Sequence, residues 1–242
     1  MHIIRFETLA STNRYCEGLD LRQVEDFTCY WALEQTAGIG QRGNHWASAA
    51  GENLTFSLVL KPHWLPAAQQ FRLTEALSLG VLDCLEGLDA TIKWPNDIYV
   101  GGGKICGMLV SNRLSGDAID TAICGIGLNV NQRVFPEWVP NPTSLSLLTG
   151  RQQELEPLLR RLLECIGRRY RQLQQGVDLK EEYLSHLMNL GTPARYRKDG
   201  RELTATITGV DIHGRLLLTT DEGKEMCCGM KEIEFLLEKK KQ

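Results

Sequence analysis

No two cysteines of this chain stand in a C-x-x-C spacing, and no H-E-x-x-H or other histidine-rich ligand pattern occurs. Six of the eight cysteines (Cys16, Cys29, Cys84, Cys106, Cys124 and Cys165) are scattered, mostly within apolar runs, and Cys227 and Cys228 are adjacent. Neither a disulfide framework nor a zinc site fits that usage, so reduced structural thiols are expected, as in cytosolic proteins. Basic excess is lacking as well. The net charge of −3 argues against a dedicated DNA or RNA binder. No apolar run approaches the roughly eighteen residues that span a bilayer. The start, Met1-His2-Ile3-Ile4-Arg5-Phe6-Glu7, has neither the basic opening nor the long apolar stretch of a signal peptide. A cytoplasmic protein without membrane or DNA partners is therefore the expectation. Internal repeats and low-complexity segments are absent, and the closing Lys239-Lys240-Lys241 reads as a solvated tail.

Three familiar phosphate or nucleophile motifs also fail. Gly38-Ile39-Gly40-Gln41-Arg42-Gly43 satisfies G-x-G-x-x-G and follows an expected strand. The dinucleotide fingerprint, however, needs a helix opening at the loop and an acidic residue about twenty positions on. Residues 44–51 carry no helical apolar stripe, and residues 58–63 hold no carboxylate. A P-loop ending at Gly103-Lys104 would have Ile98 in place of its first glycine and Ile105 in place of its Ser or Thr. No G-x-S-x-G nucleophile elbow occurs.

What is present centres on Lys93-Trp94-Pro95-Asn96-Asp97-Ile98-Tyr99, followed by Gly102-Gly103-Lys104-Ile105-Cys106-Gly107-Met108. Proline and the Asn-Asp pair favour a turn. The segment reads as strand, turn, short strand, glycine turn, strand, with Lys93 and Lys104 near neighbouring strand ends. Two cations beside flexible glycines suit a small anion, above all a phosphate. The plainer alternative is an ordinary hairpin with surface lysines. Around it, strands are expected over residues 27–34, 53–60, 105–111 and 119–130, and a helix from Phe71 to Leu85. Residues 35–51 read as a long mobile loop. That order favours an α+β fold with a mixed or antiparallel sheet and flanking helices over a doubly wound one. Leu155 to Leu173 marks an amphipathic helix whose arginines read as a solvated face. A second helix spans residues 179–190 and ends at Gly191-Thr192-Pro193. Beyond it the period changes to two, and about forty-five residues of meander read as a small β-barrel. Two domains follow: residues 1–190, and 191–242.

Four elements then occur in order: Ser11-Thr12-Asn13; Gln35-Thr36-Ala37-Gly38 with Gly40-Gln41-Arg42-Gly43 and Trp46; Lys93-Trp94-Pro95-Asn96-Asp97 with Lys104 and Gly107; and Gly125-Ile126-Gly127-Leu128-Asn129-Val130. In this the chain resembles the biotin protein ligases, also called biotin–[acetyl-CoA-carboxylase] ligases, over residues 1–190. The resemblance implies a class II synthetase-like catalytic domain and, in the meander, an SH3-like barrel. It implies that biotin's carboxylate attacks the α-phosphate of ATP, and that a lysine of a biotin carboxyl carrier domain then takes biotin from the adenylate. Neither step needs an enzyme nucleophile, because positioning and cations supply the catalysis. That suits a site rich in Lys, Arg and Gly.

By the same resemblance Ser11, Thr12, Gln35, Gly38 and Gly107 bind biotin, and Lys104 is the key cation at the carboxylate and α-phosphate. Lys93 and Arg42 complete the catalytic set. Arg42, Trp46, Asn96, Asp97 and Asn129 take ATP, with Trp46 on adenine and Asp97 near magnesium. Each has a structural counterpart: Ser11 as a helix N-cap, Gln35 as a strand end, Asn96 and Asp97 as turn residues, Trp46 as core. The family commonly has a cation where Ile39 stands, often Arg where Gln41 stands, and an acidic residue where Ala10 stands. One lost charged hydrogen bond is worth roughly 1.5–3 kcal/mol. Hence one alternative is a catalytically impaired biotin- or adenylate-binding protein. Another is a lipoate–protein ligase, whose basic-glycine signature residues 38–43 do not show. Bifunctional members carry an N-terminal DNA-binding winged helix. Its absence here makes a monofunctional ligase the expectation. Edge strands of this fold make a homodimer a further expectation.

Overall fold

A computed structural model describes residues 1–237, the side chain of Arg42 excepted. Lys239-Lys240-Lys241 lies outside the described residues. In chain order the elements of the larger part are β1 (His2–Leu9), α1 (Thr12–Glu17), β2 (Thr28–Gln35), β3 (Leu54–Leu60), α2 (Phe71–Cys84), β4 (Ala90–Lys93), β5 (Asp97–Val100), β6 (Gly103–Ser115), β7 (Ala118–Leu128), α3 (Leu145–Thr149), α4 (Leu155–Gln174) and α5 (Lys180–Ser185). The strands form one seven-stranded sheet in the order β1-β2-β3-β7-β6-β5-β4. Only β1 runs parallel to its neighbour, so the sheet is mixed.

Period-two alternation decides which face each residue serves. On β3, Leu54, Phe56, Leu58 and Leu60 enter the main core, while Thr55 and Ser57 turn to the other face. The core face is covered by α2 and α4. Their axes come close at Gly80, where a Cβ would lie 2.7 Å from the Ile166 Cα. On α4 the buried stripe is Leu159, Leu162, Leu163, Ile166, Tyr170 and Leu173, the spacing of one helix face. Its arginines are not all solvated. Arg169 is largely buried and bonds Asp83 on α2 at 2.8 Å and Glu182 on α5 at 2.6 Å.

The helix expected over residues 179–190 stops at Ser185. Leu187 instead bridges Ile92 in parallel, with Ile92 N–H donating to the His186 carbonyl and Met188 N–H to that of Ile92, both at 2.8 Å. A sheet edge that needs backbone partners has overridden a helical pattern. The chain then enters β8 (Pro193–Lys198), β9 (Arg201–Val210), β10 (Leu216–Thr220), β11 (Glu225–Cys228) and β12 (Glu234–Phe235). These make a second, antiparallel sheet in the order β11-β10-β9-β8-β12. It is open: among the described residues no pairing joins β11 to β12. No helix among the described residues is long and apolar enough to cross a membrane.

Candidate active site

A cavity of about 1530 Å³ opens on the face of the large sheet away from α2 and α4. Strand register sets its floor. Gly107 on β6 lies opposite Gly127 on β7, which lies opposite Thr55 on β3, itself opposite Ala32 on β2. The next row on the same face runs Leu109, Gly125, Ser57 and Tyr30. In Gly125-Ile126-Gly127-Leu128 the apolar residues enter the core and the glycines leave the cavity face bare. The room is used. The Trp46 indole lies on Gly107 and Gly127, and a Cβ on Gly107 would come within 2.9 Å of the ring. The Asn13 amide lies in the same way on Gly125.

One end of the floor is neutral and polar. Ser11 caps α1, its hydroxyl accepting from Arg14 N–H at 3.5 Å. Thr12 donates twice to Gln35 Oε1, from its N–H at 2.7 Å and its hydroxyl at 3.1 Å. That fixes the Gln35 amide with its oxygen occupied, which leaves Nε2 as the group to be offered as a donor. Ser57, fully buried in β3, bonds the Thr12 hydroxyl at 2.8 Å and also contacts Asn13 Oδ1. The other Asn13 amide atom, Nδ2, is buried without a partner.

The opposite end carries charge. Lys104 Nζ lies 2.7 Å from Asp97 Oδ1 and 5.5 Å from the centre of the Trp46 ring. Lys93 is directed elsewhere, its ammonium 5.0 Å from the Phe235 ring of β12 and 6.0 Å from that of Tyr99. The two lysines thus stand on either side of Asp97, across the β4–β5 and β5–β6 pairings. Asn129 donates to the Thr143 carbonyl at 2.9 Å, while its buried Oδ1 has no partner. Asn96 donates to the Met108 carbonyl, is buried, and does not line the cavity. In this structure its amide is a turn support.

Residues 38–46 form a small hairpin over the mouth. Ile39 bridges His45, Gly40 N–H donates to the Asn44 carbonyl at 2.7 Å, and Trp46 N–H to that of Gly38 at 3.0 Å. Gly38 is confined, since a Cβ there would lie 2.7 Å from the Trp46 carbonyl oxygen. The side chain of Arg42 lies outside the described residues. The site offers cations, amides and hydroxyls rather than an activated nucleophile. Burial pushes the Cys106 thiol and the Tyr99 phenol well above their usual ranges, which keeps both neutral.

Residues 5–129 match the model of the biotin/lipoate A/B protein ligase family. The chain belongs to that family. It is 32% identical over 230 residues to the bifunctional ligase/repressor BirA of Bacillus subtilis, covering 92% of this chain and 70% of that one. It is 32% identical over 209 residues to the biotin–[acetyl-CoA-carboxylase] ligase of Paracoccus denitrificans, covering 81% and 86%. Among solved structures, the biotin protein ligase of Aquifex aeolicus in complex with biotin and ATP superposes with a TM-score of 0.79 at 28% identity, over 97% of this chain and 99% of that one.

Sequence reasoning missed part of the cavity wall. Residues 133–142 and β12 both wall the cavity, and neither carries a motif. Residues 133–142 run irregularly and pair with Lys104: Lys104 N–H donates to the Asn141 carbonyl at 2.6 Å, and Thr143 N–H to that of Lys104 at 2.9 Å. Pro136, Pro140 and Pro142 were the available signal, with Phe135 and Trp138 apolar among them. Asn13 stood in the Ser11-Thr12-Asn13 element without a role and Ser57 was missed, because their contacts depend on β3 and β7 lying side by side.

Proposed function

We infer that the chain is a biotin protein ligase. It joins biotin to ATP as biotinyl-5′-AMP, releases pyrophosphate, and passes biotin to a lysine of a biotin carboxyl carrier domain with release of AMP. The observation that carries this reading is a floor of glycines that seats the Trp46 indole, with a neutral polar clamp, Thr12 and Gln35, at one end and the Lys104–Asp97 pair at the other. A flat bicyclic ring bearing a ureido group fits the first end, and a carboxylate meeting a phosphate fits the second. Ser11, Gly38 and Gly107 shape the biotin half. Lys104 stabilises charge on the attacked phosphate, with Arg42 and Lys93 supporting it. Trp46, Asp97 and Asn129 face the nucleotide, the unpartnered Asn129 Oδ1 being a ready acceptor for a base amine.

No group of three or more His, Cys, Asp or Glu among the described residues could hold a metal ion by itself. Magnesium therefore fits as an ion carried on the ATP phosphates, with Asp97 as the nearby carboxylate. We assign residues 1–190 to catalysis, and residues 191–242 to the family's small SH3-like domain. Strand β1 ends the large sheet and leaves one edge unpaired among the described residues, which suits pairing with a second copy. A monomeric mass by light scattering would remove that dimer.

The test is ATP–pyrophosphate exchange with magnesium, comparing biotin, lipoate and no acid. Exchange with biotin alone is the expected result. Exchange with lipoate would make the chain a lipoate–protein ligase. Biotin binding without exchange would make it a binding protein, with Ile39 the first residue to examine.

A further inference from the structure

Lys93 and Asp97 flank the turn between β4 and β5, and two groups distant in sequence hold that turn from behind. Trp94 is buried, and its indole N–H donates to the Gly214 carbonyl at 3.0 Å, across 120 positions. Tyr183 on α5 is fully buried, and its hydroxyl donates to the Pro95 carbonyl at 2.9 Å. Gly214 belongs to the β9–β10 turn of the second sheet, and that turn is itself stiff. Asp211 accepts from His213 N–H and Arg215 N–H, both at 2.9 Å, and from the Arg215 guanidinium at 2.7 Å. Gly214 N–H donates to the Asp211 carbonyl at 3.0 Å.

Gly214 has φ +81°, and any Cβ there would enter the Phe71 ring. Phe71 packs edge-on to Tyr183, ring centres 5.6 Å apart, so both supports meet at one residue of α2. Lys93 and Asp97 follow directly from the turn so held. They lie opposite each other in the β4–β5 ladder, Asp97 on Lys104 and Lys93 over Phe235 of the second sheet.

We propose that Trp94 and Tyr183 are positioning residues for the nucleotide half of the site, and that the Asp211–Arg215 turn acts through Trp94 to fix Lys93 and Asp97. The second sheet then serves the adenylation step itself, at a distance. This rests on the ligase reading above. These supports touch neither the Thr12–Gln35 clamp nor Gly125 and Gly127, and they meet the biotin half only where Asp97 pairs with Gly107, so their loss falls on ATP well before biotin.

The experiment is ATP–pyrophosphate exchange on the full chain, with Michaelis constants for both substrates. Trp94→Phe and Tyr183→Phe each keep the ring and remove one donor, and Asp211→Ala loosens the distant turn. Each should raise the KM for ATP by about three- to tenfold, the scale of one lost hydrogen bond, and leave the KM for biotin within twofold. Because Asp211 acts through Trp94, Trp94→Phe with Asp211→Ala should be no worse than Trp94→Phe alone. Constants for both substrates rising together, no change in either, or full additivity of the pair would each overturn the proposal. A wild-type chain without biotin-dependent exchange would overturn the ligase reading and this inference with it.

Discussion

Alternate residues of the same two strands serve opposite ends. Leu54, Leu58 and Leu60 of β3, with Cys124 and Leu128 of β7, pack into the core under α2 and α4. Thr55 and Ser57, with Gly125 and Gly127, face the cavity. One face gains free energy from buried apolar volume. The other leaves volume empty, and fills it with an indole and an amide that lie on glycine. Changes on the first face should therefore register as stability, and changes on the second as affinity or rate.

The sharpest contrast pairs Leu58→Ala with Lys104→Met. Leu58 is fully buried in the main core, and its truncation should cost about 2–5 kcal/mol in urea unfolding. The KM for biotin in the folded fraction should stay within twofold, and a large rise would break the distinction between the faces. Lys104 lies a quarter exposed beside Asp97, so the stability of Lys104→Met should stay within about 1 kcal/mol of wild type. Its exchange rate should fall by about 10²–10³, the scale for removing one preorganised stabiliser of transition-state charge. Exchange within tenfold of wild type would remove Lys104 from the chemistry.

How far the sequence reveals the molecule follows from the range of the interactions involved. The strand over residues 53–60 and the α4 stripe depend on neighbours a few positions apart, so those elements were legible. Residues 179–190 were not, because their end is decided by the edge of β4, about ninety positions earlier. The open second sheet is likewise a matter of whether β11 meets β12, which periodicity does not address. In the site, the Lys93-to-Asp97 motif announced itself, but the contact of Lys93 with the second sheet did not. Lys93 reaches the Phe235 ring of the second sheet, a contact that depends on how the two sheets meet. Ser11 was readable both as a helix cap and as a ligand residue, and the structure shows the cap. Asn96 was readable as turn or ligand, and its amide is given to Met108.

The core side holds a buried carboxyl that sharpens the comparison. Glu75 of α2 is 4% exposed, and its Oε2 has no partner. Burial pushes its carboxyl up to about 7; Asp178 adds to the rise, and Arg72 and Lys180 oppose it. The usual value is 4.5. As pH rises past that value the unfolded chain gives up this proton first, so the native state progressively loses relative stability until about pH 7. Glu75→Gln cannot ionise and should escape that loss. It should be more stable than wild type by about 3 kcal/mol at pH 8 and show no such gain near pH 4. Urea unfolding at the two pH values measures it, and an equal difference at both would mean that Glu75 does not titrate in this range.

The smallest expected effect has the most telling sign. Gly127→Ala places a methyl where the Trp46 indole lies, so the ring must move from its seat between β6 and β7. Alanine is otherwise the better strand residue, since glycine in a strand costs roughly 0.5–1 kcal/mol relative to it. Thermal stability should therefore hold or rise slightly, while the KM for biotin increases about tenfold, or 1.4 kcal/mol of lost binding. Leu58→Ala, one strand away and on the other face, should do the reverse. A Gly127→Ala chain that unfolded more readily and bound biotin unchanged would make this glycine a requirement of packing. The emptiness of the cavity face would then have to be explained by the fold and not by a ligand.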